Sequence, residues 1–392
     1  MTSAQLQTAE NLTRLGTESA FEVLARAEDL KAQGHDVINL GIGQPDFSTP
    51  AHIVEAAVKA LRDGHHGYTP APGILPLREA VAADILRLRG VEVDPNNIVC
   101  VPGGKVTMFF AIMMFGEAGA EIMYPNPGFP IYESAINYSG AKAVPIPLLE
   151  ENDFSFDADQ VLSLITPATR LIIINTPANP TGGAVPKPEM DKLAAGLEKH
   201  PHVAILSDEI YGQMTYDGHE HVSLLSYEHL RDQLILLDGW SKTYAMTGWR
   251  LGYAVWPESL VDAATRLAIN CHSCVNAGTQ FAGIAALEGP QDSVHEMVRA
   301  FDERRHVIVE GLNAIDGFSC RKPMGAFYAF PNISGTGQSA RDVQDKLLSD
   351  AYVATVAGTS FGHLGEGYVR FSYANSVENI QAALQRVREI YN

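Results

Sequence analysis

Apolar residues recur at helical spacing in two early segments: Ile53, Val54, Ala57, Val58 and Leu61 within 51–63, then Leu77, Val81, Ile85 and Leu88 within 75–89. The spacing predicts two amphipathic helices. Short runs that are almost continuously apolar follow, each bounded by turn residues: Ile98–Val101, Glu121–Tyr124, Leu171–Asn175, Val203–Ser207 and Gln233–Leu237. Runs of this kind read as strands covered on both faces, and helical segments such as Pro188–Lys199 lie between them. The alternation predicts an α/β unit built on a mostly parallel sheet.

Past residue 290 the pattern changes. A long amphipathic helix is expected over Ser293–Leu312, then short strands, a helix over Ala340–Asp350, a strand over Tyr368–Tyr373 and a terminal helix. A chain of 392 residues exceeds what one hydrophobic core usually serves. The expectation is therefore a large domain over residues 48–290 and a smaller α+β domain made from residues 1–47 and 291–392.

Composition narrows the class of function. The chain is 46% hydrophobic and 19% charged, as ordinary globular proteins are, and carries a formal net charge of -18. Phosphate backbones and acidic membrane surfaces demand a basic footprint, so a nucleic-acid or membrane partner is not expected. The first residues lack the basic-flanked apolar core of a secretory signal, and no run reaches the length of a membrane helix. Only four cysteines occur, which fits a reducing cytoplasm better than a disulfide framework. Cys271 and Cys274 form one C-x-x-C with no second pair to complete a zinc site, so no metal centre is expected.

Sites in open α/β sheets lie beyond the carboxyl ends of the strands. The segment after Ile98–Val101 is Pro102-Gly103-Gly104-Lys105, opening a helix whose N-terminal N–H groups favour an anion. Leu171–Asn175 is followed by TPANPTGG with Asn179, Val203–Ser207 by Asp208 and Tyr211, and Gln233–Leu237 by GWSKTYAMTGWRLGY with Lys242 and Arg250. Each end alone has an ordinary explanation: a tight turn, loop punctuation, a helix N-cap or a solvated lysine. Four in succession describe one site. A lysine that forms an imine, an acid against a ring nitrogen, an amide and a phenol for a ring oxygen, and an anion nest with an arginine together fit pyridoxal 5'-phosphate.

The motifs SKTYAMTGWRLGY, NPTG, SDEIY, GIGQPDF and VRFSYA stand in order between residues 38 and 375. In these the chain resembles the class I/II aminotransferases of the aspartate aminotransferase superfamily, pyridoxal-phosphate enzymes of fold type I. The resemblance implies a large domain with a mostly parallel sheet and a smaller α+β domain. It also implies ping-pong transfer of an amino group between an amino acid and a 2-oxo acid. Carried over position by position, it makes Lys242 the imine-forming lysine and Asp208 the partner of the ring nitrogen. Tyr211 and Asn179 fall to the ring oxygen, Arg250 to the phosphate, and Gly104 and Lys105 to the phosphate loop, chiefly through backbone donors, with Ser241 expected to compensate at the phosphate for a serine missing at Gly239. Phe129 is the ring that stacks on the cofactor. Arg370 receives the substrate's α-carboxylate, with the Gly43 backbone and Asn179 as helpers. Tyr68 matches a tyrosine that reaches the neighbouring subunit's phosphate, which implies a homodimer with shared active sites.

Two departures qualify the match. Gly239 stands where relatives commonly have a serine that helps hold the phosphate. Residues 106–140 and 267–298 contain no Lys or Arg, whereas dicarboxylate-selective relatives need a second cation. A neutral, aromatic or apolar substrate is accordingly expected. The side-chain pocket is expected to draw on ESAFEVLARA, from Glu18, and GAFYAF, around Phe327. Other α-carbon chemistry such as carbon–sulfur lysis, or a cofactor-binding regulatory module, are the rival readings.

Overall fold

The structure, a computed structural model, describes residues 6–392, so the first five residues of the N-terminal reading lie outside it. Its strands are β1 (Ile38–Asn39), β2 (Ile98–Val101), β3 (Glu121–Asn126), β4 (Lys142–Pro147), β5 (Thr169–Asn175), β6 (Ala204–Asp208), β7 (Leu234–Gly239), β8 (Gly252–Val255), β9 (Tyr328–Ala329), β10 (Val353–Ala354), β11 (Val356–Ala357) and β12 (Val369–Ser372). Seven of them form one sheet in the order β2-β8-β7-β6-β5-β3-β4. Only β8 runs against its neighbours.

Both faces of this sheet are buried, as the continuous apolar runs require. Ile172, Ile174, Ile205 and Leu236 enter a core on one face. Their chain neighbours Leu171, Ile173, Leu206, Ile235 and Leu237 enter a second core on the other. The helices Ala51–Arg62 and Leu75–Arg89 supply Ile53, Leu77, Val81 and Ile85 to the first core. The second helix stops at Gly90, which takes the left-handed conformation at φ 66°.

Within the seven-stranded sheet the sequence pattern misses two strands, each for a physical reason. The outer strand β4 carries Pro145 and Pro147 and is only partly buried, as an edge strand tolerates but a buried run does not. The four residues of β8 begin inside the motif that holds Arg250, too short a run to show a period. The helices anticipated over Ser293–Leu312 and Pro188–Lys199 form over Asp292–Asn313 and Lys187–Leu197, and that over Ala340–Asp350 keeps its bounds.

A smaller antiparallel sheet, ordered β11-β12-β9, packs with the helices Asp292–Asn313 and Val377–Tyr391 around Ile308, Leu312, Phe371, Tyr373 and Leu384. The chain before β1 bridges the two sheet layers. Gly16 N–H donates to Ser134 Oγ at 2.9 Å on the large-sheet side. Val23 and Ala27 of the helix Ser19–Ala32 then pack on Leu348 and Ala354 of the other.

Candidate active site

The carboxyl ends of the parallel strands open into a cavity of about 490 Å³, lined by residues from both sheet layers and from the N-terminal arm. Because β8 is reversed, its first residues start at this edge. Arg250, two residues ahead of Gly252, is thereby set beside the turn that follows β2. Space there is fixed by glycine. A Cβ on Gly103 (φ 93°) would meet Arg250 Nη2 at 2.0 Å, and one on Gly252 would meet Gly104 N at 2.6 Å. Arg250 itself adopts φ 56°, uncommon for a residue with a side chain, and its Nη1 donates to Thr247 O at 2.7 Å. The guanidinium thus stands next to the N-terminus of the helix Lys105–Phe115, where the dipole favours an anion.

At the end of β6 two adjacent acids meet opposite environments. Glu209 points into a buried cluster in which Arg89 Nε (3.1 Å), His221 Nε2 (2.9 Å), Ser207 Oγ (2.9 Å) and Ser223 Oγ (2.8 Å) surround its carboxylate. Burial would raise its pKa, but His221 and Arg89 hold it down at about 2. Asp208 faces the cavity, buried and with no Lys, Arg or His in ion-pair range among the described residues. Burial pushes it up to about 6, partly countered by the Tyr132 hydroxyl, which donates to Oδ2 at 2.5 Å, and by Ile210 N–H.

Lys242 follows β7 on a single turn of helix, Trp240–Thr243, and its Nζ donates to Gly43 O at 2.5 Å. Burial, then Arg370 and Arg250, lowers its pKa to about 8. Gly43, expected as a backbone helper for the substrate's α-carboxylate, lines the cavity, and its carbonyl accepts from Lys242. Ser241 is buried against the cavity, and the Tyr211 hydroxyl lies 2.7 Å from that of Tyr328.

Arg370 comes from the central strand of the small sheet. Val369, Phe371 and Tyr373 turn into the core of that layer, and Arg370 turns to the cavity, as period-two alternation demands. It is 3% exposed. Its Nη1 donates to Asn179 Oδ1 at 2.7 Å and Nη2 to Gly41 O at 2.5 Å, while Nε has no partner among the described residues. The guanidinium carbon lies 4.6 Å from the Tyr328 ring centroid and 4.7 Å from that of Phe361.

The remaining expected residues divide. Gly104, Lys105 and Phe129 line the cavity, and Lys105 Nζ stands 5.5 Å from the Phe129 ring centroid while pairing with the Glu18 carboxylate. Tyr68 does not reach this cavity within one chain and is 93% exposed. Tyr132, Tyr328, Asn175 and Ser360 are cavity residues that sequence reading did not name individually. Tyr328 lies in the GAFYAF stretch and Glu18 in ESAFEVLARA, so the segments were legible but their inward-facing side chains were not.

The donor set matches pyridoxal phosphate on structural grounds. Lys242, Arg250 and Arg370 line one cavity without an acid in ion-pair range, among the described residues, and Asp208 lines it without a base. Arg370 also keeps a buried Nε that is unpartnered among the described residues. A phosphate, a ring cation and a carboxylate are the partners such groups lack.

Comparison with known proteins agrees. The family described as aminotransferase class I and II matches residues 35–387. Aspartate aminotransferase of Bacillus subtilis is 37% identical, covering 98% of this chain and 98% of its own length. Aromatic-amino-acid aminotransferase 2 of Thermococcus litoralis is 39% identical, covering 92% and 93%. Among solved structures, aspartate aminotransferase of Thermus thermophilus with maleate superposes with a TM-score of 0.94 at 33% identity, over 98% of this chain and 100% of that one. The chain belongs to the class I and II aminotransferases, the pyridoxal-phosphate enzymes that move an amino group between an amino acid and a 2-oxo acid.

Proposed function

We propose that this aminotransferase prefers a neutral, aromatic or apolar amino acid to a dicarboxylic one. The observation that carries this is the state of Lys105: it is the one cation in the cavity that already has an acid partner, among the described residues. Phe129, Tyr328, Phe361, Ile42, Met108 and Val356 give the remaining wall an apolar and aromatic character suited to such side chains. Relatives named for both aspartate and aromatic amino acids leave either class open to the fold.

When bound, pyridoxal phosphate supplies the aldehyde that takes up the amino group and the ring that accepts the electron pair left when the α-proton departs. The protein's part is division of labour. Arg250 and the start of the helix Lys105–Phe115 would hold the phosphate, and Phe129 the ring face. Asp208 would keep the ring nitrogen protonated, and Tyr211 and Asn179 would bond the ring oxygen. Arg370 fixes the substrate by its α-carboxylate, presenting the α-hydrogen to Lys242. That amine, lowered to about 8 by burial and by Arg370 and Arg250, has a neutral fraction near neutral pH and serves as the general base.

Arg370 stands on the small sheet and Lys242 on the large one, so substrate that bridges them draws residues 291–392 toward residues 48–290 and expels water. The exposed Tyr68 would complete a second subunit's phosphate site, making the homodimer the active form. The test is a donor screen that follows the cofactor's absorbance in a single half-reaction. Neutral and aromatic amino acids should convert it faster than aspartate or glutamate, and a dicarboxylate that outpaces every neutral donor would refute the preference. Lys242→Ala should abolish conversion.

A further inference from the structure

The cavity holds four cations: Lys105, Lys242, Arg250 and Arg370. Three have no acid partner among the described residues, and the proposed reading gives each an external one: the cofactor's aldehyde for Lys242, its phosphate for Arg250, the α-carboxylate for Arg370. The fourth, Lys105, is neutralised by the chain itself through Glu18. A second substrate carboxylate would need a cation of this kind.

Glu18 is placed for this task by the path of the backbone. It is the residue immediately before the helix Ser19–Ala32, yet its side chain does not cap that helix. The carboxylate enters the cavity instead, with the side chain 15% exposed. Its position is fixed from both directions: Gly16 N–H is bonded to Ser134 Oγ, and Arg26 of the following helix pairs with Asp345 at 2.6 Å. Lys105 is equally constrained, as the first residue of the helix after Gly104. Removing either member would leave the other facing the cavity without its partner.

We infer that Glu18 is a specificity residue, an internal carboxylate that occupies Lys105, so that a dicarboxylic substrate must displace it while a neutral side chain leaves the pair intact. This rests on the reading of the cavity as an amino-acid site. The charge of Glu18 also acts on Arg370 and Lys242, raising the pKa of both against stronger opposing effects. Its removal therefore affects every carboxylate ligand, and the informative quantity is a ratio between dicarboxylate and monocarboxylate.

The experiment compares wild type with Glu18→Gln, with Glu18→Ser as a second variant and Glu18→Gln/Lys105→Met as the control. Two ratios are measured on the cofactor-loaded proteins: kcat/KM for glutamate over phenylalanine, and the dissociation constants of the unreactive acids succinate and butyrate by spectral titration. Freeing a partly exposed lysine should shift both ratios toward the dicarboxylate by about fivefold, and the shift should vanish in the double variant. Unchanged ratios overturn the inference. So does a parallel loss for all ligands with a lowered melting temperature, which would make the pair a structural strap. If no donor at all is transaminated, the reading of the site fails, and the succinate-to-butyrate ratio still decides the role of Glu18.

Discussion

Replacing Lys242 by Met should make the cofactor-free protein more stable at neutral pH. The folded lysine titrates near 8 in place of its usual 10.5, because burial and the Arg370 and Arg250 charges oppose its protonation. A depression of that size corresponds to about 3 kcal/mol of penalty on the charged form. Loss of the Nζ bond to Gly43 O returns about 1 kcal/mol of it. A net gain of about 2 kcal/mol is expected for Lys242→Met below pH 8. Between pH 8 and 10.5 the unfolded chain binds more protons at this position than the folded one, so wild-type stability rises with pH. The variant's advantage must therefore shrink across that window and give way above it to a deficit of about 1 kcal/mol, that of the lost Nζ bond. Urea unfolding of both cofactor-free proteins near neutral pH and again in mild alkali measures this directly. Adding cofactor should reverse the order, because wild type alone gains the full stabilisation of a tightly held ligand. A variant less stable at neutral pH, or an advantage that does not move with pH, would refute the account of Lys242 as a buried, disfavoured charge.

Three further outcomes follow from the site. Tyr132→Phe removes a hydroxyl that lowers the Asp208 pKa, so the acid limb of the pH–rate profile should move to higher pH, with kcat reduced about tenfold on its acid side. Arg370→Lys replaces a planar fork held by Asn179 and Gly41; kcat/KM should fall about 100-fold, chiefly through KM, while the cofactor's absorbance is unchanged. Gly239→Ser, which supplies the hydroxyl that many relatives use, should fail to tighten cofactor binding. Gly239 has an extended backbone (φ 169°) that any residue adopts, but a Cβ there would lie 2.9 Å from Gly252 Cα and 3.1 Å from Leu251 O. The strands β7 and β8 must part to admit it, at a cost of about 1–3 kcal/mol, seen as a lower melting temperature. Tighter cofactor binding in the variant would show that the phosphate end has room to spare.

What the sequence makes legible is local. Apolar runs locate β2, β5, β6 and β7, and the residues just past those runs, Gly104, Asn179, Asp208 and Lys242, line one cavity because parallel strands end on one edge. What stays hidden is pairing. Gly103 and Arg250 are far apart in sequence and meet only because β8 runs backward, a fact that four residues cannot announce. Asp208 and Glu209 are adjacent acids of the same chemistry, and nothing in SDEIY says which is spared. The answer lies in Arg89 at the end of the helix Leu75–Arg89 and in His221 and Ser223, which gather on Glu209 and leave Asp208 without a cation among the described residues. The same logic explains why Lys105 reads as part of a phosphate loop. Two glycines precede it along the chain, and its acid arrives from the N-terminal arm. A cation's function follows from whether the fold has brought it an anion. Among the described residues no segment delivers one to Lys242, Arg250 or Arg370, which remain available, and Lys105 is withdrawn because one does.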